Sequence, residues 1–162
     1  MSAGPRREYP DAPRVGVGAV VLDGDRVLLV RRGAAPSQGK WSIPGGLVDL
    51  GERLEDAVVR EVQEECGLLI RPIGLCGVID RVTLGERADG AGPAPVRYHY
   101  VIIDYAAAVV GGEMCAGSDA AEARWVPLTD LARLETTDGL SAMIDRAVAL
   151  ATHTSTQGGC RT

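Results

Sequence analysis

The chain has 162 residues, 46% of them hydrophobic and 24% charged, a size and balance that fit one domain with its own core and exclude a mostly disordered, collagen-like or coiled-coil protein. Its net charge of -5 argues against nonspecific nucleic-acid binding, which needs a basic excess to track phosphates. No apolar run approaches the roughly 20 residues of a membrane span, the opening MSAGPRREYPDAPR lacks a secretion-type apolar segment, and Cys66, Cys76, Cys115 and Cys160 show no CxxC spacing. A cytoplasmic chain with reduced thiols is expected.

Residues 1–13, with three prolines, and residues 151–162 read as flexible tails around a domain spanning 14–150. VGVGAVVLD and RVLLVRR are β-rich runs split by Asp23-Gly24-Asp25-Arg26, which predicts an antiparallel hairpin. After the loop GAAPSQGK, WSIPGG should hold no regular structure, because Pro44-Gly45-Gly46 interrupts a strand and lets backbone approach a ligand. Leu54, Val58 and Val62 recur at helical spacing, predicting a helix over 54–66 ended by Gly67. RPIGLCGVIDRVTL is a strand pair or one bent strand, and GERADGAGPAP is a loop. VRYHYVIIDYAAAVV predicts a strand with Tyr98, Tyr100 and Ile102 on one face and His99, Val101 and Ile103 on the other. ARWVPL is a short strand closed by Pro127, and Leu140, Ile144, Ala147 and Val148 mark a last helix over 137–150. The order implies an α+β or α/β sandwich around a mixed sheet.

Glu61, Glu64 and Glu65 stand at i, i+3 and i+4 of the first helix and share a face. Glu61 and Glu65 continue the row of Leu54 and Val58, so carboxylates extend the stripe that should face the core. Like charges there repel, and desolvating them costs several kcal/mol unless compensated. Taken alone, the cluster also reads as a solvated acidic face. Read as a site, hard oxygen ligands on one face suit Mg²⁺ or Mn²⁺, which bridge carboxylates to substrate phosphates.

The 23 residues from Gly46 to Leu68, GLVDLGERLEDAVVREVQEECGL, fit without a gap the pattern G-x5-E-x7-R-E-U-x-E-E-x-G-U, with U a bulky aliphatic residue. Gly46, Glu52, Arg60, Glu61, Val62, Glu64, Glu65, Gly67 and Leu68 fill its fixed positions. On these residues, the WSIPGG lead-in and the ARWVPL strand, the chain resembles the Nudix hydrolase family. The resemblance implies the Nudix α/β/α sandwich, an α+β fold, and a Mg²⁺-dependent pyrophosphohydrolase acting on a nucleoside diphosphate linked to another group. By resemblance, Glu61, Glu64 and Glu65 are metal ligands, helped by the carbonyl of Gly45 or Gly46. Glu52 holds Arg60 and the helix start, while the water-activating role stays open between Glu61 and Glu64. Arg32 resembles the family's phosphate-contacting position, and Arg31 is either a second contact or an exposed counter-charge. Asp119 and Glu122, from GSDAAEARW, are candidates for a further metal ligand or base.

Base recognition needs a flat apolar surface with a few polar groups; Trp41, Tyr98 and Tyr100 are its aromatic candidates, each with a core role as the alternative. GKWSIPGG, RYHYVIIDY and SDAAEARWVPL resemble the short ADP-ribose pyrophosphatase-like branch, implying hydrolysis of ADP-ribose to AMP and ribose 5-phosphate. Leu84 stands where longer ADP-ribose pyrophosphatases carry a proline. The alternatives are an MutT-like enzyme that cleaves oxidised nucleoside triphosphates and a sensor domain that binds a nucleotide sugar without turnover. The partners expected are a small-molecule nucleotide and, since family members are often dimers, a second copy, with no membrane and no specific nucleic acid.

Overall fold

The computed structural model describes residues 7–35, 37–87, 92–115 and 120–157. Strands β1 (Arg14–Asp23) and β2 (Arg26–Arg32) form the predicted hairpin, with Leu22 opposite Val27 and Asp23 opposite Arg26. Gly24 turns the chain at a φ of 60°, a conformation that strains residues with a side chain.

Two short strands follow, β3 (Trp41–Ser42) and β4 (Gly45–Leu47). The second corrects the expectation of irregular backbone at Pro44-Gly45-Gly46: Gly45 pairs with Gly18 and Leu47 with Gly16, antiparallel to β1. The missing side chains are what make this possible. A Cβ on Gly45 would strike the Val17 carbonyl oxygen, and one on Gly46 would strike the Glu61 carboxylate.

Helix α1 (Leu54–Cys66) has the predicted bounds and buries Ala57, Val58, Val62 and Cys66. Gly67 ends it in the left-handed region at φ 70°, its N–H donating to the Gln63 carbonyl, as a glycine just past a helix end does. Of the two readings left for the next run, the structure adopts one strand, β5 (Leu68–Leu84), whose register with β6 (Val96–Gly112) shifts at four places. Strand β6 also pairs in parallel with β1, from Arg14 opposite Tyr100 to Leu22 opposite Ala108. Strand β7 (Ala120–Pro127) pairs with β2, and a 3-10 turn at Leu128–Arg133 leads to helix α2 (Leu140–Gln157).

The sheet order β3-β2-β1-β6-β5, with β4 on β1 and β7 on β2, is the mixed sheet the sequence implies. Alternation along the strands divides the core. Val21, Leu28, Ala107 and Val58 pack on the α1 side, while Val20, Leu29, Ala106, Met143 and Ile144 pack on the α2 side. The boundaries drawn for the tails differ from the structure. Helix α2 runs past Leu150 to Gln157, and residues 7–13 are tied to β6, where the Tyr9 N–H donates to the Arg97 carbonyl at 2.8 Å and the Tyr98 hydroxyl to Glu8 at 2.5 Å. Asp119, Cys160 and residues 88–91 of the glycine-rich loop lie outside the described residues.

Leu28 is fully buried between the sheet and α1. Leu28→Ala is expected to cost about 2–5 kcal/mol, seen as a lower urea midpoint at unchanged slope; an unchanged midpoint would place Leu28 outside the core.

Candidate active site

The site forms where the sheet splits. Strand β1 pairs with β2 at Leu22 and Asp23 but with β4 at Gly16, Val17 and Gly18, so β1 and β2 diverge away from their turn. A cleft of about 940 Å³ lies in the opening, lined by Glu61, Glu64 and Glu65 of α1, by Gly45 and Gly46, and by Arg31 and Arg32 at the end of β2. The residues singled out by the helical spacing thus converge with both glycines and both arginines.

Arg60 organises the acidic side. Its Nε and Nη2 hold the two oxygens of Glu52 at 2.7 and 2.8 Å, Nη1 donates to Glu61 at 2.8 Å and to Glu64 at 3.3 Å, and Nη2 also reaches the Leu47 carbonyl at 3.1 Å. This bidentate grip, with an Asp49 N–H donating to the same carboxylate, drives Glu52 down to about 2. Glu61 moves the other way. Its side chain is only 14% exposed, and burial raises its pKa despite the opposing pull of Arg60. Glu65 accepts the Gly45 N–H at 2.9 Å; the contact seen at Gly45 is therefore through its amide, whereas the resemblance implies a role for a carbonyl.

Among the described residues, no three His, Cys, Asp or Glu side chains are gathered into a ready-made metal cage. The donor chemistry nevertheless fits a hard divalent cation: three carboxylates open on one cleft, and one of them, Glu61, is held short of water where added positive charge relieves the cost of burial.

The remaining candidates divide. Tyr100 lines the cleft, whereas Tyr98 is buried, stacks on Tyr100 at 6.2 Å and turns its hydroxyl to Glu8. Trp41 is a core residue on the α2 side, with the Arg124 guanidinium over its ring at 4.2 Å. Glu122 belongs to β7 rather than to a loop, opposite Arg31 in the ladder, and is not among the cleft residues. Arg32 is partly buried, and its pKa is lowered chiefly by that burial. Among the cleft residues that the sequence reading does not single out, one is a buried carboxyl. Asp104 is 3% exposed, and burial pushes it up to about 6; its signal was a charge inside VIIDY, in the same alternation as Tyr98, Tyr100 and Ile102.

An α/β/α sandwich with a carboxylate-bearing helix beside a glycine strand and an arginine-rimmed cleft defines a protein that handles anionic, phosphate-bearing ligands. The NUDIX domain model matches residues 12–147, and the chain belongs to the Nudix hydrolase family. It is similar to the ADP-ribose pyrophosphatase of Methanocaldococcus jannaschii, 35% identical over 122 residues that make up 75% of this chain and 66% of that protein. It is also similar to the 8-oxo-dGDP phosphatase of Homo sapiens, 32% identical over 134 residues, 75% of this chain and 37% of that one. The crystal structure of a MutT NUDIX hydrolase from Burkholderia pseudomallei superposes with a TM-score of 0.68 at 32% identity, covering 84% of this chain and 98% of that one. The chain spans just under two thirds of the archaeal relative's length and little over a third of the human one's.

Because Glu52 is depressed when folded, its contribution to stability is complete above its unfolded value near 4.5 and fades as pH falls toward about 2. The stability difference between wild type and Glu52→Gln is therefore expected to be constant above pH 5 and to shrink between pH 4.5 and 2 in denaturant titrations. A difference that does not change with pH would contradict the Glu52–Arg60 pairing.

Proposed function

We propose that the chain is a Mg²⁺-dependent pyrophosphohydrolase that cleaves the P–O–P link of ADP-ribose to AMP and ribose 5-phosphate, acting in the cytoplasm on a free small-molecule nucleotide. The observation that carries this reading is the convergence of Glu61, Glu64 and Glu65 with Arg31 and Arg32 on one cleft; the similarity to an archaeal ADP-ribose pyrophosphatase supports the choice of ADP-ribose.

A pyrophosphate shields its own phosphorus atoms with negative oxygens, so hydrolysis needs positive charge on those oxygens and a positioned water. Glu61, Glu64 and Glu65, with a carbonyl of Gly45 or Gly46, would hold the metal, with Mn²⁺ as a substitute. When bound, the ion supplies charge neutralisation and a more acidic water. The protein's own groups do the rest. Arg31 and Arg32 at the rim meet the phosphate oxygens that face away from the helix. Glu52, gripped by Arg60, fixes the guanidinium that in turn orients Glu61 and Glu64. Glu61 or Glu64 accepts the proton of the attacking water. Asp119 and Glu122 are held as candidates for a further ligand or base.

A second reading, cleavage of oxidised nucleoside di- or triphosphates, is favoured by the similarity to a human 8-oxo-dGDP phosphatase and would use the same carboxylates. The test is release of AMP or phosphate from ADP-ribose, NADH, a dinucleoside polyphosphate, a sugar nucleotide and 8-oxo-dGTP, with and without Mg²⁺. Metal-dependent AMP release from ADP-ribose is expected; preference for 8-oxo-dGTP would transfer the assignment to the second reading. Glu64→Gln and Glu65→Gln are each expected to lose most activity while melting no lower than wild type, since like-charge repulsion disappears with the charge. Activity within about threefold of wild type would remove those carboxylates from the metal site. Millimolar Mg²⁺ is expected to raise the melting temperature of wild type and not of these variants.

A further inference from the structure

The cleft has a second polar feature on the other face of the sheet from α1. Asp104 lies on β6 between Ile102 and Ala106, in the alternation that packs toward α2, and Ile43, Ile79 and Met143 line the cleft with it. Though 3% exposed, its carboxyl makes no hydrogen bond to any described residue. Arg81 of β5 is the one charge that acts on it, and the Arg81 Nη2 is already committed to the Asp138 carbonyl at 2.9 Å. Strand β1 offers only bare backbone: an Asp104 oxygen stands where a Cβ on Gly18 would be, and the Ile43 side chain meets the same spot.

A carboxyl with so little exposure and no donor among the described residues can be served only from the cleft it lines, which suits a ligand that brings an N–H or O–H. The surroundings narrow the ligand further. Aliphatic walls suit a flat ring, and a carboxyl disfavours phosphate, whose place at the arginine rim is already provided. The ladder gives the scale: Asp104 is opposite Gly18, Gly18 is opposite Gly45, and the Gly45 N–H donates to Glu65. Two strand spacings, about 10 Å, separate Asp104's strand from the glycine strand beside the carboxylates. An extended nucleotide bridges such a span, with its base at one end and its pyrophosphate at the other.

We infer that Asp104 is a specificity residue whose carboxyl accepts a hydrogen bond from the exocyclic amino group of the substrate's base, seated between Ile43, Ile79 and Met143. The inference rests on the reading of the chain as an ADP-ribose hydrolase. It assigns base selection to a side chain on β6 that lies outside the 46–68 segment and takes no part in the chemistry.

The experiment compares steady-state hydrolysis of ADP-ribose with that of its purine counterpart lacking the 6-amino group, in Mg²⁺, for wild type, Asp104→Ala and Asp104→Asn. Wild type is expected to show a KM about tenfold or more higher for the analogue with kcat little changed, since losing one partner leaves a buried group unpaired. Asp104→Ala is expected to raise KM for ADP-ribose to the analogue's level and so abolish the preference, whereas Asp104→Asn, which keeps a carbonyl acceptor, retains it. A wild type that turns over both substrates equally overturns the inference whether or not the variants fold. An Asp104→Ala enzyme that keeps the preference, or loses affinity for both substrates by the same factor, also overturns it and leaves the ADP-ribose reading standing. Absence of ADP-ribose turnover by wild type overturns both.

Discussion

One guanidinium lets the acidic helix exist. Arg60 spans Glu52, Glu61 and Glu64 and still reaches the Leu47 carbonyl, so a single cation compensates three carboxylates and ties the loop before α1 to the helix body. A planar, five-donor fork can do this where an ammonium cannot. Without it, Glu61, with 14% of its side chain exposed, would face desolvation and the repulsion of its neighbours together. The grip stops short of full neutralisation. Burial still outweighs Arg60 at Glu61 and raises its pKa, leaving a site that gains from further positive charge.

The second constraint is the absence of side chains. Gly16 and Gly18 of β1 run beside Gly45 and Gly46 of β4, with Gly18 directly opposite Gly45, and side chains on Gly18, Gly45 and Gly46 would collide with the Asp104 carboxyl, the Val17 carbonyl and the Glu61 carboxylate. The glycines therefore let β4 press against β1, let the Gly45 amide reach Glu65, and keep the cleft floor thin enough for groups from both sheet faces to border one space. The hydrophobic core makes this tolerable. Leu28, Leu29, Val20 and Val21 are fully buried behind the opening, and the long β5–β6 and β1–β6 ladders brace the sheet where β1 and β2 part.

What could be read from the sequence follows from the range of the interactions. Helix α1 and its glycine stop are local: their periodicity and capping lie within 14 residues, and both bounds match. The β1–β2 hairpin is local too. The strand at Gly45–Leu47 was unreadable because its partner, β1, is some 30 residues earlier and glycines carry no β signal of their own. The roles of the aromatic residues depend on long-range packing for the same reason. Trp41 is covered by Arg124 and Tyr98 by Glu8, contacts that no spacing within the chain announces. The end of α2 lies beyond Leu150 because the apolar stripe stops there while the backbone hydrogen bonding does not; residues such as Thr152, whose hydroxyl returns to the Val148 carbonyl, carry the helix on.

The layering also explains why a motif that identifies the family is silent on the substrate. The 46–68 segment contributes β4, α1 and the loop between them, all bordering the cleft from the α1 side. The apolar pocket around Asp104 is built from β1, β5, β6, the turn at Ile43 and the start of α2, elements spread over more than a hundred residues. Substitutions there alter the shape and polarity of one end of the cleft without touching Arg60 or the carboxylates it holds at the other. The carboxylates and the pocket around Asp104 are thus mechanically separable in this fold, which leaves room for relatives to act on different nucleotides, as the archaeal ADP-ribose pyrophosphatase and the human 8-oxo-dGDP phosphatase do.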